Sequence, residues 1–163
     1  MRKQLSLIPF LLLGACTVGP NYAGPPKAIG SAATPPAGFA RADNTLATTA
    51  RAYAEEMART GKFAHAPQPQ GMTREGENLW TGTRYAYAYA EMMGHWVAEQ
   101  RDFINMPTPG FSRTGKVEDV AHYTQIVWRG STRVGCAMAS SKTDDYLVCR
   151  YSPPGNVFGE KAY

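Results

Sequence analysis

Local catalytic signatures are missing from this chain of 163 residues. It has no His-Glu-x-x-His pair that would hold a protease zinc on one helix, and no Gly-x-Ser-x-Gly elbow to raise a serine nucleophile. Histidine is scarce, occurring only as His65, His95 and His122, and cysteine equally so, as Cys16, Cys136 and Cys149. The wide spacing of the last two cysteines excludes a Cys-x-x-Cys redox or metal clip. There is no run of Lys or Arg: the 17 basic residues are scattered among 13 acidic ones, so no nucleic-acid partner is expected. Internal repeats are absent. The one long apolar run, Leu5 to Leu13, is broken by Ser6 and Pro9. At helical rise it reaches roughly 14 Å, far short of the roughly 30 Å hydrocarbon core, which excludes a spanning helix there.

That short run has a different use. Met1-Arg2-Lys3 is a positive n-region in front of it, so the segment reads as an export signal that takes no part in the fold. Leu13-Gly14-Ala15-Cys16 resembles a bacterial lipobox, which makes residues 1–15 a lipoprotein signal peptide and Cys16 the lipidated N-terminus. Acyl chains on Cys16 would then supply the membrane anchor. Thr17, rather than Asp, after the cysteine implies the outer membrane for a Gram-negative source. Residues 16–41 are rich in Pro, Ala and Gly, as in Gly24-Pro25-Pro26 and Thr34-Pro35-Pro36, and cannot bury enough surface to fold, so they read as a tether. Removal of residues 1–15 leaves 148 residues and lowers the formal charge from +4 to +2, because Arg2 and Lys3 are lost. That length suits one domain, placed at 42–163. In an exported chain the two remaining cysteines, Cys136 and Cys149, are expected to form a disulfide.

Within the domain, Asp43 or Asn44 caps an expected helix whose one face carries Leu46, Ala50, Tyr53, Ala54 and Met57, with Gly61 as its stop. Phe63-Ala64-His65 opens a proline-punctuated loop. A second helix is expected from about Arg84 to Phe103, where Tyr85, Tyr89, Met92, Trp96 and Phe103 recur at helical spacing; alternating Tyr85, Tyr87 and Tyr89 would equally suit a strand, but the longer stripe favours helix. His122 to Trp128 is ambiguous by periodicity. Arg133 to Ala139 and Tyr146 to Tyr151 alternate in polarity and predict a hairpin, ended by Pro153, Pro154 and Gly155. The whole predicts an α+β fold.

Several motifs then stand in a telling order: Gly76-Glu77-Asn78, Trp96-Val97-Ala98-Glu99, His122-Tyr123-Thr124-Gln125, Val134-Gly135-Cys136 and Cys149-Arg150-Tyr151 leading to Pro153-Pro154-Gly155-Asn156. From about Asp43 to Tyr163 the chain resembles the CAP superfamily, the SCP-domain family of cysteine-rich secretory proteins, venom antigen 5 and class 1 pathogenesis-related proteins. The resemblance implies a three-layer α-β-α sandwich and a cleft where two histidines and two glutamates converge. Carried over residue by residue, these are His65, Glu77, Glu99 and His122. Members usually carry one further helix that opens with a His-Asn-x-x-Arg pattern; here the tether stands in its place, so the sandwich is expected to lack the family's first helix.

The chemistry of that tetrad bounds the function. Two neutral imidazoles with carboxylates as ligands or orienting partners suit Zn2+ or another divalent cation. The family includes sterol and fatty-acid binders, so a small apolar ligand or a cell-envelope component is the other expected occupant. The alternative is a metal-dependent hydrolase of peptide or cell-wall substrates, with Glu77 or Glu99 as general base beside His122. A purely structural lipoprotein with a vestigial tetrad is the third reading. Binding is the expectation adopted ahead of catalysis, which the residues leave open. His95 matches no site position and is expected at the surface or core edge.

Overall fold

A computed structural model describes residues 40–69, 71 and 73–163. The signal peptide, Cys16, the tether up to residue 39 and the question of a missing first helix lie outside the described residues.

The first long element forms where capping and stop signals agree. Helix α1 spans Asn44–Thr60, and its N-cap is Asp43, whose Oδ1 accepts the backbone N–H groups of Thr45 and Leu46 at 2.9 and 3.0 Å. The same Leu46 N–H, with the Arg133 guanidinium 3.0 Å from Oδ2, holds the Asp43 carboxyl below its ordinary range. Gly61 ends the helix in the left-handed conformation, φ 70°, donating its N–H to the Met57 carbonyl. Leu46, Ala50, Ala54 and Met57 are buried, so the apolar stripe read from the sequence is the packed face.

Four strands make the sheet. β1 (Arg41–Ala42) pairs parallel with β3 (Arg133–Ser140); β3 pairs antiparallel with β4 (Asp144–Ser152), and β4 with β2 (Gly76–Thr83), in the order β1-β3-β4-β2. Alternation along the strands sorts side chains to two faces. Leu79, Ala137, Tyr146 and Val148 pack on Ala50, Ala54 and Met57 of α1. Trp80, Leu147, Cys149 and Tyr151 pack on Met92 and Trp96 of α2 (Tyr89–Ala98). The sheet therefore lies between helices, as a three-layer α-β-α sandwich. A third cluster of Phe103, Phe111, Val120, Tyr123, Trp128 and Ala162 anchors α3 (Ala121–Ile126) and the C-terminal segment.

The expected hairpin is β3–β4, and Cys136 and Cys149 are register partners on it, joined by a disulfide with Cα atoms 4.1 Å apart. Closing a loop with a sequence separation of 13 contributes about 3 kcal/mol on the chain-entropy account.

The second helix differs from its expected span. It begins at Tyr89, not Arg84, because the chain first turns back after β2: Tyr85 adopts φ 62°, its N–H donates to Asp145 Oδ2, and its ring is exposed. Glu91 then accepts the Ala88 N–H at 2.7 Å and closes the helix start. At the other end a 3-10 turn, Glu99–Asp102, replaces the last α turns, and Phe103 lies beyond it, bridged to Ser112. The ambiguous His122 segment is the short helix α3.

Candidate functional site

The four residues carried over from the motifs form two His–Glu pairs at one end of the sheet. His65 sits in the loop after α1, and Glu77 is the second residue of β2. His65 Nδ1 lies 2.6 Å from Glu77 Oε1, which also accepts the Ala66 N–H at 3.1 Å. Glu99 opens the 3-10 turn after α2, and its Oε1 lies 2.6 Å from His122 Nδ1 on α3. Its Oε2 accepts the backbone N–H groups of His122 and Tyr123, both at 3.0 Å. The His122 ring stacks on Trp96, with centroids 6.0 Å apart and planes 11° apart. Each imidazole thus has one nitrogen committed to a carboxylate and its Nε2 left without a protein partner among the described residues.

Both rings line one cavity of about 520 Å3. Glu77 lines it too, whereas Glu99 stands behind His122. The rest of the lining is mixed: Gln68, Arg74, Asn78, Glu118, Gln125 and Asn156 supply polar groups, and Ala66, Ala121 and Pro154 apolar ones. The pairs are unequal in exposure: the His65 side chain is 66% exposed over a 5% exposed Glu77, and His122 is 30% exposed.

The motif residues around the pairs hold the walls. Asn78, buried, donates to the His122 carbonyl at 3.1 Å and to the Tyr151 hydroxyl at 3.4 Å, and burial pushes that hydroxyl well above its ordinary range. Gln125 accepts the Gly155 N–H at 2.8 Å and donates to Ser131 Oγ at 3.0 Å. A Cβ on Gly76 would lie 2.2 Å from Gln125 Oε1, which explains the glycine that precedes Glu77. Asn156, at φ 57°, donates to the Ala121 carbonyl and accepts from Thr124 Oγ1 at 2.6 Å, so the Pro-Pro-Gly-Asn segment is stitched to α3. His95 lies elsewhere, exposed, its Nδ1 accepting the Trp80 indole N–H at 2.8 Å.

One participant was not among the sequence candidates. Arg150 on β4 is the register partner of Glu77, and its guanidinium lies 2.7 Å from Glu77 Oε2. The signal for it was present: an arginine between Cys149 and Tyr151, on a strand otherwise buried, demands a carboxylate partner.

The family model of the cysteine-rich secretory proteins, CAP, matches residues 39–151. The chain belongs to this family. This CAP chain is 37% identical over 122 residues to a pathogenesis-related protein of PR-1 type from Sambucus nigra, a match covering 74% of the chain and 68% of that protein. It is 36% identical over 121 residues to Protein PRY2 of Saccharomyces cerevisiae, covering 73% of the chain but 32% of PRY2. Among solved structures, that of NaASP2 with Zn2+ superposes at TM-score 0.61 and 26% identity, covering 76% of this chain and 65% of that one. The CAP chain thus spans about two thirds of the length of the PR-1 type relative and one third of PRY2.

Among the described residues, no three His, Cys, Asp or Glu side chains gather closely enough to hold a metal ion by themselves. What the CAP cleft offers is a two-imidazole donor set. Each ring has its Nδ1 fixed by a carboxylate, the arrangement in which Nε2 is a competent ligand. Imidazole nitrogens are the donor type that borderline divalent cations take.

Proposed function

We propose that the cleft binds a divalent cation, zinc by its donor chemistry, through the Nε2 atoms of His65 and His122, and that Glu77 and Glu99 orient the rings. The observation that carries this reading is the pair of 2.6 Å Nδ1–carboxylate contacts on two rings that line one cavity. A solved relative at 26% identity, NaASP2, was crystallised with Zn2+, which supports it. When bound, zinc would supply a Lewis-acidic centre with open positions. The chain's own residues present the two nitrogens, hold their tautomers and surround the cation with amide and charged groups.

Two other expectations find less support. The cavity brings polar side chains to the two rings, and among the described residues no long apolar channel is part of its lining, so the cation is the occupant the donor set names. For a hydrolase the expected bases were Glu77 and Glu99, and in both each oxygen is engaged by an imidazole, a backbone N–H or Arg150. Binding without turnover is the reading adopted.

Calorimetric titration of the metal-free protein with zinc chloride is the direct test. One zinc per chain is expected. His65→Ala and His122→Ala are each expected to weaken binding by more than about 100-fold, since a lost ligand costs more than the 10–100-fold typical of an orienting partner. A native chain that takes up no zinc, or two variants that bind like the native chain, would sink this reading.

The reading includes export and a lipid on Cys16, motivated by the leader and lipobox. Labelled palmitate fed to a bacterial host that expresses the full chain is expected to enter the protein, and Cys16→Ala to abolish the label. Unlabelled native protein would overturn the anchor.

A further inference from the structure

Arg150 is a buried cation at the edge of a cleft assigned above to a cation, and that needs a reason. Its side chain is 6% exposed, with the guanidinium 2.7 Å from Glu77 Oε2, 3.4 Å from Glu75 Oε2 and 5.4 Å over the Tyr53 ring. Neither Glu77 Oε2 nor Arg150 Nε has a hydrogen-bond partner among the described residues, so the Arg150–Glu77 contact is held by charge and not by a directed bond. A guanidinium does not give up its proton, so its burial calls for carboxylate partners, and Glu77 at 2.7 Å and the hydrogen-bonded Glu75 supply them.

The consequence falls on His65. With Oε2 drawn to Arg150, Glu77 has Oε1 left to face the loop, where it takes the Ala66 N–H and His65 Nδ1. An ionised oxygen accepts only, so the hydrogen sits on Nδ1 and the Nε2 of the neutral ring is a lone-pair donor. In the other pair the same task falls to backbone: two N–H groups hold Glu99 Oε2, and among the described residues no arginine pairs with it. His65 is the more exposed ring and its loop offers no such donors to Oε2, so its orientation depends on the strand opposite. We infer that Arg150 is a positioning residue of the cleft: by holding the Glu77 carboxylate turned, it sets the tautomer of His65 and makes its Nε2 a cation ligand. The ligand part of this inference rests on the zinc reading; the tautomer part does not.

The two parts separate in one set of variants. Imidazole 15N spectra of the metal-free protein at about pH 8.5, above the ordinary imidazole range, report which ring nitrogen carries hydrogen. Native His65 is expected in the Nδ1–H form and Arg150→Gln in a mixture of both forms. Zinc affinity of Arg150→Gln is expected to fall at least about 10-fold, the range for loss of an orienting partner. Arg150→Lys, which keeps the charge, is expected to recover the native tautomer and most of the affinity. The sign of the affinity change is decisive, because an arginine that merely repelled the ion would, on removal, leave zinc bound more tightly. An unchanged tautomer in Arg150→Gln, tighter zinc, or a lysine variant no better than glutamine overturns the inference. If the glutamine variant does not fold, a folded Arg150→Lys with mixed tautomers overturns it and one with the native tautomer upholds it. If native protein binds no zinc, the cation reading fails and the tautomer spectra still decide the role of Arg150.

Discussion

Gly135→Ala is expected to lower stability by about 3 kcal/mol and the melting temperature by roughly 10 °C. A Cβ at this position would lie 2.2 Å from the Ala47 backbone nitrogen and 2.6 Å from the Asp43 carbonyl oxygen. Both obstacles are main chain, so no rotamer change relieves the clash. The first turn of α1 must lift from β3, and two ties go with it: the Asp43 N–H to the Val134 carbonyl at 2.9 Å and the Arg133–Asp43 ion pair. Further along the helix, Ala50, Ala54 and Met57 pack on Leu79, Ala137, Tyr146 and Val148 of the same sheet. Gly94→Ala is the control. It lies in α2 with nothing within 4 Å of its added Cβ, so alanine there is expected to be neutral or stabilising by up to about 1 kcal/mol. Thermal melts of the two variants side by side check this; equal melting temperatures would refute the close-approach argument.

Glu99→Gln is expected to keep the fold and weaken zinc binding by about 100-fold, the upper end for an orienting partner. The carboxylate Oε2 holds the His122 and Tyr123 N–H groups, and an amide oxygen can hold them in its place. The amide NH2 then faces His122 Nδ1, where Glu99 Oε1 now lies at 2.6 Å. An NH2 donates only, so Nδ1 must become the acceptor and the hydrogen moves to Nε2. That ring can no longer offer a lone pair to the cleft. Glu99→Ala differs: it strips both N–H groups and the ring of their acceptor, and a loss of about 3 kcal/mol is expected from these charge-assisted bonds. Zinc titration together with urea denaturation separates the two effects. A glutamine variant with native zinc affinity would remove Glu99 from the orienting role.

These effects differ in how far they could be read from the chain. The close approach at Gly135 had a visible trace, a glycine inside an alternating strand, but nothing local says that α1 is what approaches it. Arg150 had a trace as well, a charge amid buried neighbours; its partner lies on β2, distant in sequence and opposite only once the register is set. Tyr85 shows the opposite failure. Its spacing from Tyr89 and Met92 fits a helix, yet the Asp145 carboxylate captures its N–H and turns the backbone, a tertiary contact that overrides the local pattern.

What the chain determined by itself is therefore what short-range physics controls. Asp43 and Gly61 bound α1, because a cap and a left-handed stop act within one turn. Alternation and proline bound the hairpin, and its cysteines meet because register pairs them. The motifs identified His65, Glu77, Glu99 and His122 by likeness alone. Only the tertiary structure brought each histidine to its own glutamate, placed both rings on one cavity and put Arg150 behind Glu77. The reason is that an ion pair or an oriented imidazole depends on distances of about 3 Å between residues far apart in the chain, and those distances exist only after the sheet register and the helix packing are set.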